Sequence, residues 1–485
     1  MTAEPGGSTP HRLGRDYERA QPAHRRRAHG IHYTPSGLAA EVVAAAIGVL
    51  GALPERVLDP SCGGGAMLLA TLDELVRRGV APGDALVRVA GIDVDRGAID
   101  VAREAIATWA AGHGVTMPST VALAVGDALV DDWPSDLDLV VGNPPFGGQL
   151  RGSTIRDGAR AAAAHRILGR AAGYADTAGL FLVRAVSSVR PGGAVALVQP
   201  RSVLASRDAG RVRDLVDAVA TVRLVLVPEM PGFDASVHVC TPIVVRDGGG
   251  SAPAWAEMAA DAMGLAPADL DQSRTLGSVA EPTAGFRDEF YAVARFVHEA
   301  SDTHDRPRLV TSGSIEPGRT LWGERATTVL RRRFQRPVVD LAALRAHAAG
   351  PDCDPRVASQ LDLRTRPKVL VATQTRSLEA VVDDDGTLWP SVPVVSVLPR
   401  AVDVWSILAI LVSREATAWV ARRSIGTGLS PGALRVSART LAGLPIPPDG
   451  GGDAWADAAA RLRDGAAVDD VVVLDAMTRA YRARD

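Results

Sequence analysis

The first half of the chain alternates between short apolar runs and longer stretches whose apolar residues recur with helical spacing. Each run is short enough for a buried strand and ends in a polar or glycine-rich turn. Strands are predicted near residues 57–59, 87–92, 121–125, 139–141, 194–198, 221–227 and 236–245. Helices are predicted at residues 38–50, 66–78, 96–111, 174–190 and 209–219. This alternation predicts the α/β class, with a doubly wound, mostly parallel, seven-stranded sheet.

Two details of that sheet follow from the connections. Only a short loop precedes the last strand, so we expect this strand to be antiparallel to its neighbour. After the fourth strand, residues 147–170 are rich in Ala and Arg and show no clear period. They are predicted to form a mobile crossing.

The regions on either side of the sheet differ from it. Residues 1–30 are polar and rich in Gly, Pro and Arg, which predicts a flexible N-terminal tail. A glycine-rich linker near 247–251 is predicted to separate the sheet domain, 31–247, from a C-terminal domain, 252–485. Patterning is weaker in the C-terminal domain, which is predicted to be mixed α+β. Its expected elements are helices near 287–300 and 403–422 and strands near 368–373 and 392–398.

Composition narrows the class of protein. With 22% charged and 47% hydrophobic residues, the chain has the makeup of a soluble globular protein. No signal segment opens it and no apolar run could span a bilayer, so we expect a cytoplasmic location. Its cysteines, Cys62, Cys240 and Cys353, lack disulfide or metal-ligand spacing, and no metal site is predicted.

Charge bears on possible partners. The net charge of −3 provides no general attraction to nucleic acid, so any polyanion site must be a local patch. Basic residues cluster three times in the C-terminal domain, and these clusters predict a surface that binds a nucleic-acid backbone. They are Arg331, Arg332, Arg333 and Arg336; Arg364, Arg366 and Lys368; and Arg422 and Arg423.

The most distinctive polar feature is a rigid corner after the fourth strand. The apolar run 139–141 ends at Asn143-Pro144-Pro145-Phe146, where two prolines stop further ladder hydrogen bonding. Ligands of open α/β sheets bind at the carboxyl ends of the strands. The corner has an amide oxygen, backbone carbonyls and an aromatic ring, which together can hold a planar group with an exocyclic amine.

Other strand ends add a nucleotide-type site. The first strand leads into Asp59-Pro60-Ser61-Cys62-Gly63-Gly64-Gly65 and a helix, a turn in which glycines let the backbone approach a ligand closely. The second strand ends at Asp93, where a carboxylate can accept both ribose hydroxyls of an adenosine. The third is followed by Asp127, which can accept from an adenine amino group. Before the sheet, Thr34 is predicted to cap the helix that begins at Pro35.

These motifs resemble the N6-adenine DNA methyltransferases of the gamma arrangement, in which the cofactor motifs precede a target-recognition domain. The resemblance is specific over about residues 28–246 and diffuse beyond. Asn143-Pro144-Pro145-Phe146 matches the catalytic (N/D/S)-P-P-(Y/F) signature, with Phe in place of Tyr. Gly64 stands where the family more often has Ser, and Met67 where Phe is frequent.

The resemblance implies S-adenosylmethionine as cofactor and double-stranded DNA as partner, in a restriction-modification or phage-defence setting. It implies that cofactor contacts come from Thr34, Pro35, Asp59, Pro60, Cys62, Gly63, Gly65, Asp93, Asp127 and Asn143. It also implies that a flipped-out adenine is held by Phe146 and by Phe233, in the loop before the last strand. The Asn143 oxygen and the Pro144 carbonyl can each accept one N6 proton, which aligns the amine lone pair with the sulfonium methyl.

Alternatives stay open at this point. The same corner occurs in methyltransferases that act on ribosomal RNA or on glutamine side chains, although those lack a large C-terminal domain. Cytosine-N4 methylation uses this corner as well, typically with Ser or Asp at the position of Asn143. A catalytically silent DNA-binding subunit is a further reading, which the complete set of motifs disfavours.

Overall fold

The computed structural model describes residues 9–21, 34–146, 155–169, 176–228, 238–250, 254–301, 306–351, 353–427 and 434–483. The chain divides into two compact units, Met1–Gly264 and Leu265–Asp485. The unit boundary thus falls after the linker expected at residues 247–251. Helix 255–262 accounts for the difference, because Trp255 at its start donates from Nε1 to Asp217 Oδ1 at 2.8 Å and ties this helix to the first unit.

The first unit is built on one sheet, and the predicted α/β class is confirmed. Its strands are β1 (Val57–Asp59), β2 (Val89–Asp93), β3 (Ala122–Val125), β4 (Leu137–Gly142), β5 (Val189–Leu197), β6 (Gln199–Pro200), β7 (Thr221–Leu226) and β8 (Val239–Val245). The order is β3-β2-β1-β4-β5-β8-β7, parallel from β3 to β5. As predicted, β8 is antiparallel to its neighbours. The eighth strand, β6, continues β5 along β8 for two residues.

Helices accompany this sheet in the order expected of a doubly wound fold. They are α1 (Thr9–Ala20), α2 (Ser36–Leu50), α3 (Ala66–Arg77), α4 (Pro82–Arg88), α5 (Arg96–Gly112), α6 (Ile155–Leu168), α7 (Thr177–Ser188), α8 (Gly210–Asp217) and α9 (Trp255–Ala262). Helix α2 shows why they form. Its apolar residues at 38, 39, 42, 43, 46 and 47 are buried, and it ends at Gly51, whose φ of 72° allows the capping turn.

Three local expectations were wrong. Residues 1–30, predicted to be a flexible tail, contain helix α1, which packs on α3 and α5. Residues 147–170, predicted to form a mobile crossing, contain α6, whose Ala163, Ala164 and Leu168 are buried. The second strand begins only at Val89, because residues 82–88 form α4 behind a proline in its first turn.

The second unit is mixed α+β. Its larger sheets have the orders β10-β16-β11-β20 and β19-β17-β21-β9. Its strands are β9 (Ala280–Ala284), β10 (Val297–Glu299), β11 (Arg308–Val310), β12 (Ile315–Glu316), β13 (Arg319–Thr320), β14 (Thr327–Val329), β15 (Arg332–Phe334), β16 (Pro337–Val339), β17 (Lys368–Val371), β18 (Gln374–Thr375), β19 (Ala380–Asp383), β20 (Leu388–Pro390), β21 (Val395–Pro399) and β22 (Leu434–Arg435).

Its helices are α10 (Leu276–Val279), α11 (Arg287–Ala294), α12 (Leu341–Ala348), α13 (Pro355–Arg364), α14 (Val404–Val412), α15 (Arg414–Arg423), α16 (Ala438–Ala442), α17 (Gly452–Arg463) and α18 (Val471–Arg482). Two predicted helices are therefore divided. The one at 287–300 becomes α11 followed by β10. The one at 403–422 breaks at Ser413, whose hydroxyl accepts from Ala416 N–H and caps α15.

Within the described part of the chain, no single helix is both long and apolar enough to cross a membrane. Helices α14 and α15 meet that test of length and composition only as a pair, and the pair is bent by 65°.

Candidate active site

The polar residues predicted at the strand ends lie along one edge of the sheet. Strands β2, β1 and β4 are parallel neighbours, so their carboxyl ends are adjacent. Asp93 is the last residue of β2, Asp59 is the last of β1, and Asn143 directly follows β4. Since β3 pairs with β2 in parallel, Asp127 follows the next strand at the same edge.

Asn143 is oriented by a residue from the N-terminal side of the sheet. Its amide nitrogen Nδ2 donates to Thr34 Oγ1 at 3.1 Å, and Thr34 is buried. Thr34 was predicted to cap α2, but the structure shows no side-chain cap there, and Pro35 occupies the N-cap position. The hydrogen bond turns the nitrogen edge of the amide toward Thr34, and the oxygen edge faces the opposite way. Asn143 is also the only asparagine of the chain, so composition alone does not account for an amide at this position.

The rest of the corner is held by packing. Pro144 is buried, whereas Pro145 and Phe146 are half-buried. Phe146 packs against the core of the sheet unit, which leaves part of the ring accessible at this edge. Phe233, the second aromatic expected at the site, lies outside the described residues.

The glycine-rich turn is tied to the second strand rather than to its own strand alone. Cys62 N–H donates to Ile92 O at 3.0 Å, and Gly63 N–H donates to Asp93 Oδ2 at 2.9 Å. Gly63 and Gly65 have φ values of 51° and 89°, a region that favours glycine. No atom lies within 4 Å of the place where a Cβ of Gly63 would be, so this part of the loop has an open side.

Gly64 has a different reason to be glycine. A Cβ at this position would lie 2.4 Å from the Cα of Gly14 in helix α1. The two backbones therefore cross at a distance that only two glycines permit. Tyr17, one turn further along α1, donates its hydroxyl to Asp95 Oδ2 at 3.0 Å. Helix α1 thus braces the glycine loop and the start of α5, a role that the polar sequence of residues 1–30 did not indicate.

The pKa values of two carboxyl groups at this edge are raised. Asp59 is buried, and burial raises its pKa to about 8, although Ser61 N–H donates to Oδ1 at 3.0 Å and opposes the change. Burial also raises the pKa of Asp93, against the hydrogen bonds from Asp95 and Gly63 N–H. Both groups are thus poised to respond to a positive charge brought beside them.

Cys62 does not have the character of a nucleophile. Burial, followed by the nearby Asp59 and Asp93, raises the pKa of its thiol well above the usual value. A Cβ on Gly91 of β2 would lie 2.8 Å from the Cys62 sulfur. The thiol therefore fills the space between the loop and β2 as a small neutral group.

Asp127 is positioned by a backbone hydrogen bond to β2 and forms an ion pair that was not predicted. Gly126 N–H donates to Asp93 O at 2.9 Å, which places Asp127 beside the end of β2. Asp127 Oδ2 accepts from Arg160 Nε of α6 at 2.6 Å, and its Oδ1 accepts from Leu129 N–H. Sequence reasoning missed Arg160, since the stretch that contains it shows no period from which a helix could be predicted.

The predicted basic surface of the second unit is only partly present. Arg364 is buried and forms a two-pronged ion pair with Glu289 at 2.7 and 3.0 Å. Lys368 is buried against Asp383, and Arg422 is buried and donates to Leu265 O. The second and third clusters were therefore wrong as surfaces. In the first cluster Arg331, Arg332 and Arg333 are exposed, whereas Arg336 is half-buried and lies over the Trp322 ring at 5.2 Å.

The sheet order, with one antiparallel strand beside its edge, is that of the class I S-adenosylmethionine-dependent methyltransferases. A family model described as N-6 DNA Methylase matches residues 10–247. This part of the chain is therefore similar to the N-6 DNA methylase family. A comparison with curated proteins by sequence found no match.

Among solved structures, MmeI resembles the chain in fold, and two others are less similar. MmeI, a Type IIL restriction-modification enzyme solved in complex with DNA, is 13% identical, with a TM-score of 0.61 over 98% of this chain and 78% of its own. The type IIG restriction endonuclease BpuSI is 12% identical, with a TM-score of 0.45 over 97% of this chain and 68% of its own. A type I restriction-modification methyltransferase subunit from Streptococcus thermophilus is 22% identical, with a TM-score of 0.34 over 50% and 51%.

Proposed function

We propose that the protein transfers a methyl group from S-adenosylmethionine to N6 of a flipped-out adenine in DNA. The observation that carries this proposal is the Asn143–Thr34 hydrogen bond, which orients the amide of an N-P-P-F corner beside a glycine-rich turn. The match of residues 10–247 to the N-6 DNA methylase family supports the same reaction.

The residues at the sheet edge fit the proposed cofactor. A carboxylate at the end of β2, Asp93, suits the ribose hydroxyls, and the open side of the loop at Gly63 admits a ligand against the backbone. Asp127 is the candidate acceptor for the adenine amino group. Contacts with the methionine part and the loop are proposed for Thr34, Pro35, Asp59, Pro60, Cys62, Gly63, Gly65 and Asn143. When bound, the cofactor supplies an electrophilic methyl group with a positive charge.

The chemistry of the corner is positioning. The adenine amine is a weak nucleophile because its lone pair is delocalised into the ring. Asn143 Oδ1 and the Pro144 carbonyl each accept a hydrogen bond from one N–H of this amine, and the two bonds direct the lone pair toward the methyl group. Since Thr34 holds the amide nitrogen, the oxygen edge of Asn143 is already turned away from it before the base arrives. The rings of Phe146 and Phe233 are proposed to stack on the flipped base.

Double-stranded DNA is the proposed partner, with a restriction-modification or defence system as the setting. The support is the family of residues 10–247 and the fold shared with MmeI, whose structure contains DNA. Methylation of RNA or of protein glutamine is the runner-up, because the same corner can hold those amines. A silent DNA-binding subunit is the remaining alternative. The hydrogen bonds that orient the Asn143 amide and that hold Gly63 at Asp93 argue against it.

A direct assay separates these possibilities. Purified protein is incubated with radiolabelled S-adenosylmethionine and, in turn, with duplex DNA, ribosomal RNA and a release factor. We expect label in DNA alone and N6-methyladenine as the labelled nucleoside after digestion. Detection of N4-methylcytosine, or of label in RNA or protein, would contradict adenine in DNA as the substrate and identify another one. Cofactor binding without transfer to any of them would favour the silent subunit.

A further inference from the structure

A short hairpin in the second unit carries three consecutive exposed arginines, Arg331, Arg332 and Arg333. Strands β14 (Thr327–Val329) and β15 (Arg332–Phe334) are antiparallel, and Val329 pairs with Arg332. The loop therefore contains only Leu330 and Arg331. Its base is fixed in the core, since Val329 and Phe334 are both buried.

The backbone of this loop is unusual for its sequence. Leu330 and Arg331 have φ values of 46° and 66°, as in the two-residue turns that normally contain Asn-Gly or another glycine pair. In the described chain, only Asp136 shares a positive φ among residues other than glycine. Core packing does not account for the choice, because 44% of Leu330 is exposed. Strained positions whose side chains face solvent are typical of functional sites.

Positively charged side chains lie on both faces of the hairpin beside its apex, the loop of Leu330 and Arg331. From Arg325 to Arg336 the chain has five arginines and no acidic residue. Arg332 lies over the Phe334 ring at 5.0 Å, on the face that turns toward the core, so Arg333 projects from the opposite face. At the base of the hairpin, Glu299 accepts from the backbone N–H groups of residues 335 and 336. It therefore faces the backbone of the hairpin base.

We infer that this hairpin enters the major groove of the DNA target and that Leu330 and Arg331 read base edges there. A two-stranded ribbon fits the groove, and an arginine can bind guanine O6 and N7 with two hydrogen bonds. Leu330 suits an apolar contact such as a thymine methyl group. With the apex pointing into the groove, Arg332 and Arg333 face the two flanking phosphate backbones. This inference rests on the proposed function, because it assumes a DNA substrate.

The hairpin can be tested without damaging the fold. The double variant Leu330→Asn/Arg331→Gly replaces the apolar side chain of residue 330 with a polar one and removes that of residue 331. It also installs the sequence that this turn prefers, so its melting temperature should equal or exceed that of the wild type. Arg345→Ala is the matched control: it removes one positive charge from the exposed surface of α12 in the same unit. Both variants should bind S-adenosylmethionine as the wild type does.

Recognition is measured in two ways on an unmethylated duplex that contains the sequence which the wild type methylates. The first is kcat/KM for methylation, and the second is the affinity for this duplex compared with that for a scrambled duplex. We expect kcat/KM of the double variant to fall about 10-fold or more, with loss of the preference for the specific duplex. The control should change less than about 2-fold. Unchanged kcat/KM and preference in the double variant would overturn the inference. An equal loss of affinity for the specific and the scrambled duplex would also overturn it. So would a loss of affinity for RNA, measured in parallel, without any loss for DNA. Failure of the wild type to methylate any DNA would instead overturn the proposed function.

Discussion

The side-chain amide of Asn143 donates to the hydroxyl of Thr34 at 3.1 Å, across 109 positions of sequence. This contact connects the segment before α2 with the corner after β4. It also fixes which edge of the amide is available to a substrate. The proposed reaction depends on that edge, because its oxygen is one of two acceptors for the amine protons.

Removal of the Asn143 amide should slow methyl transfer strongly and leave the binding of S-adenosylmethionine almost unchanged. Asn143→Ala is expected to lower kcat by about 10²–10³-fold, since one aligned acceptor at the reacting centre contributes on that order. The dissociation constant for S-adenosylmethionine, measured by calorimetry, should stay within a few-fold of the wild-type value. Wild-type turnover in this variant would remove the corner from the mechanism.

Thr34 should matter through its hydroxyl. Thr34→Val removes the acceptor for Asn143 Nδ2 with little change of shape, and we expect kcat to fall by about 2- to 10-fold, the scale of one hydrogen bond. Thr34→Ser keeps the hydroxyl and should restore most of the rate. An equal loss in both variants would mean that packing of the methyl group, rather than orientation of the amide, explains the effect.

The crossing of Gly14 and Gly64 predicts sensitivity to a single methyl group. Gly64→Ala would bring a Cβ within 2.4 Å of the Gly14 Cα, so α1 must move away from the glycine loop. We expect a lower melting temperature and weaker binding of S-adenosylmethionine. Gly48→Ala in helix α2 is the control, because no atom lies near its Cβ position and alanine favours a helix there. Unaltered stability and cofactor binding in Gly64→Ala would show that α1 does not brace the loop.

Asp59 predicts a pH dependence of stability. Its pKa is about 8 in the folded chain and near 3.8 when unfolded, so between these values the folded state binds the extra proton. The stabilisation that this proton gives is complete below pH 4 and is lost as the pH rises through about 8. Between pH 6 and pH 8.5, the melting temperature of the wild type should therefore fall by more than that of Asp59→Asn. Equal losses would contradict a buried protonated carboxyl.

Lys368, the only lysine of the chain, should be structural. It is buried against Asp383 and also donates to Arg366 O at 3.1 Å. Lys368→Met leaves a buried carboxylate without its cation, which typically costs about 3–5 kcal/mol of unfolding free energy. Arg366→Ala, two residues away at the exposed surface, should cost less than about 0.5 kcal/mol. Denaturant unfolding followed by tryptophan fluorescence measures both.

The sheet was predictable because its information is local. Apolar runs that end in Asp59, Asp93 and Asn143 mark buried strands and their carboxyl ends, and parallel order brings those ends together. The antiparallel direction of β8 followed from loop length alone. These predictions need no knowledge of distant contacts.

Several of the errors have a physical origin in distant contacts. Helix α1 is polar and depends on Gly64 and Asp95, which lie far along the chain. Arg364 reads as a surface charge until its partner Glu289, 75 residues away, is known. Arg160 has the same problem with Asp127, 33 residues earlier. A charge pattern alone does not tell whether a side chain is paired inside the fold.

Mapping of modified bases tests the central claim most directly. The chain and its Asn143→Ala variant are expressed separately in a host free of DNA methylation, and the genomes are read by single-molecule sequencing. The proposed function predicts N6-methyladenine at one short recurring sequence with the wild type and none with the variant. Absence of N6-methyladenine in both genomes, or equal methylation by the variant, would contradict it.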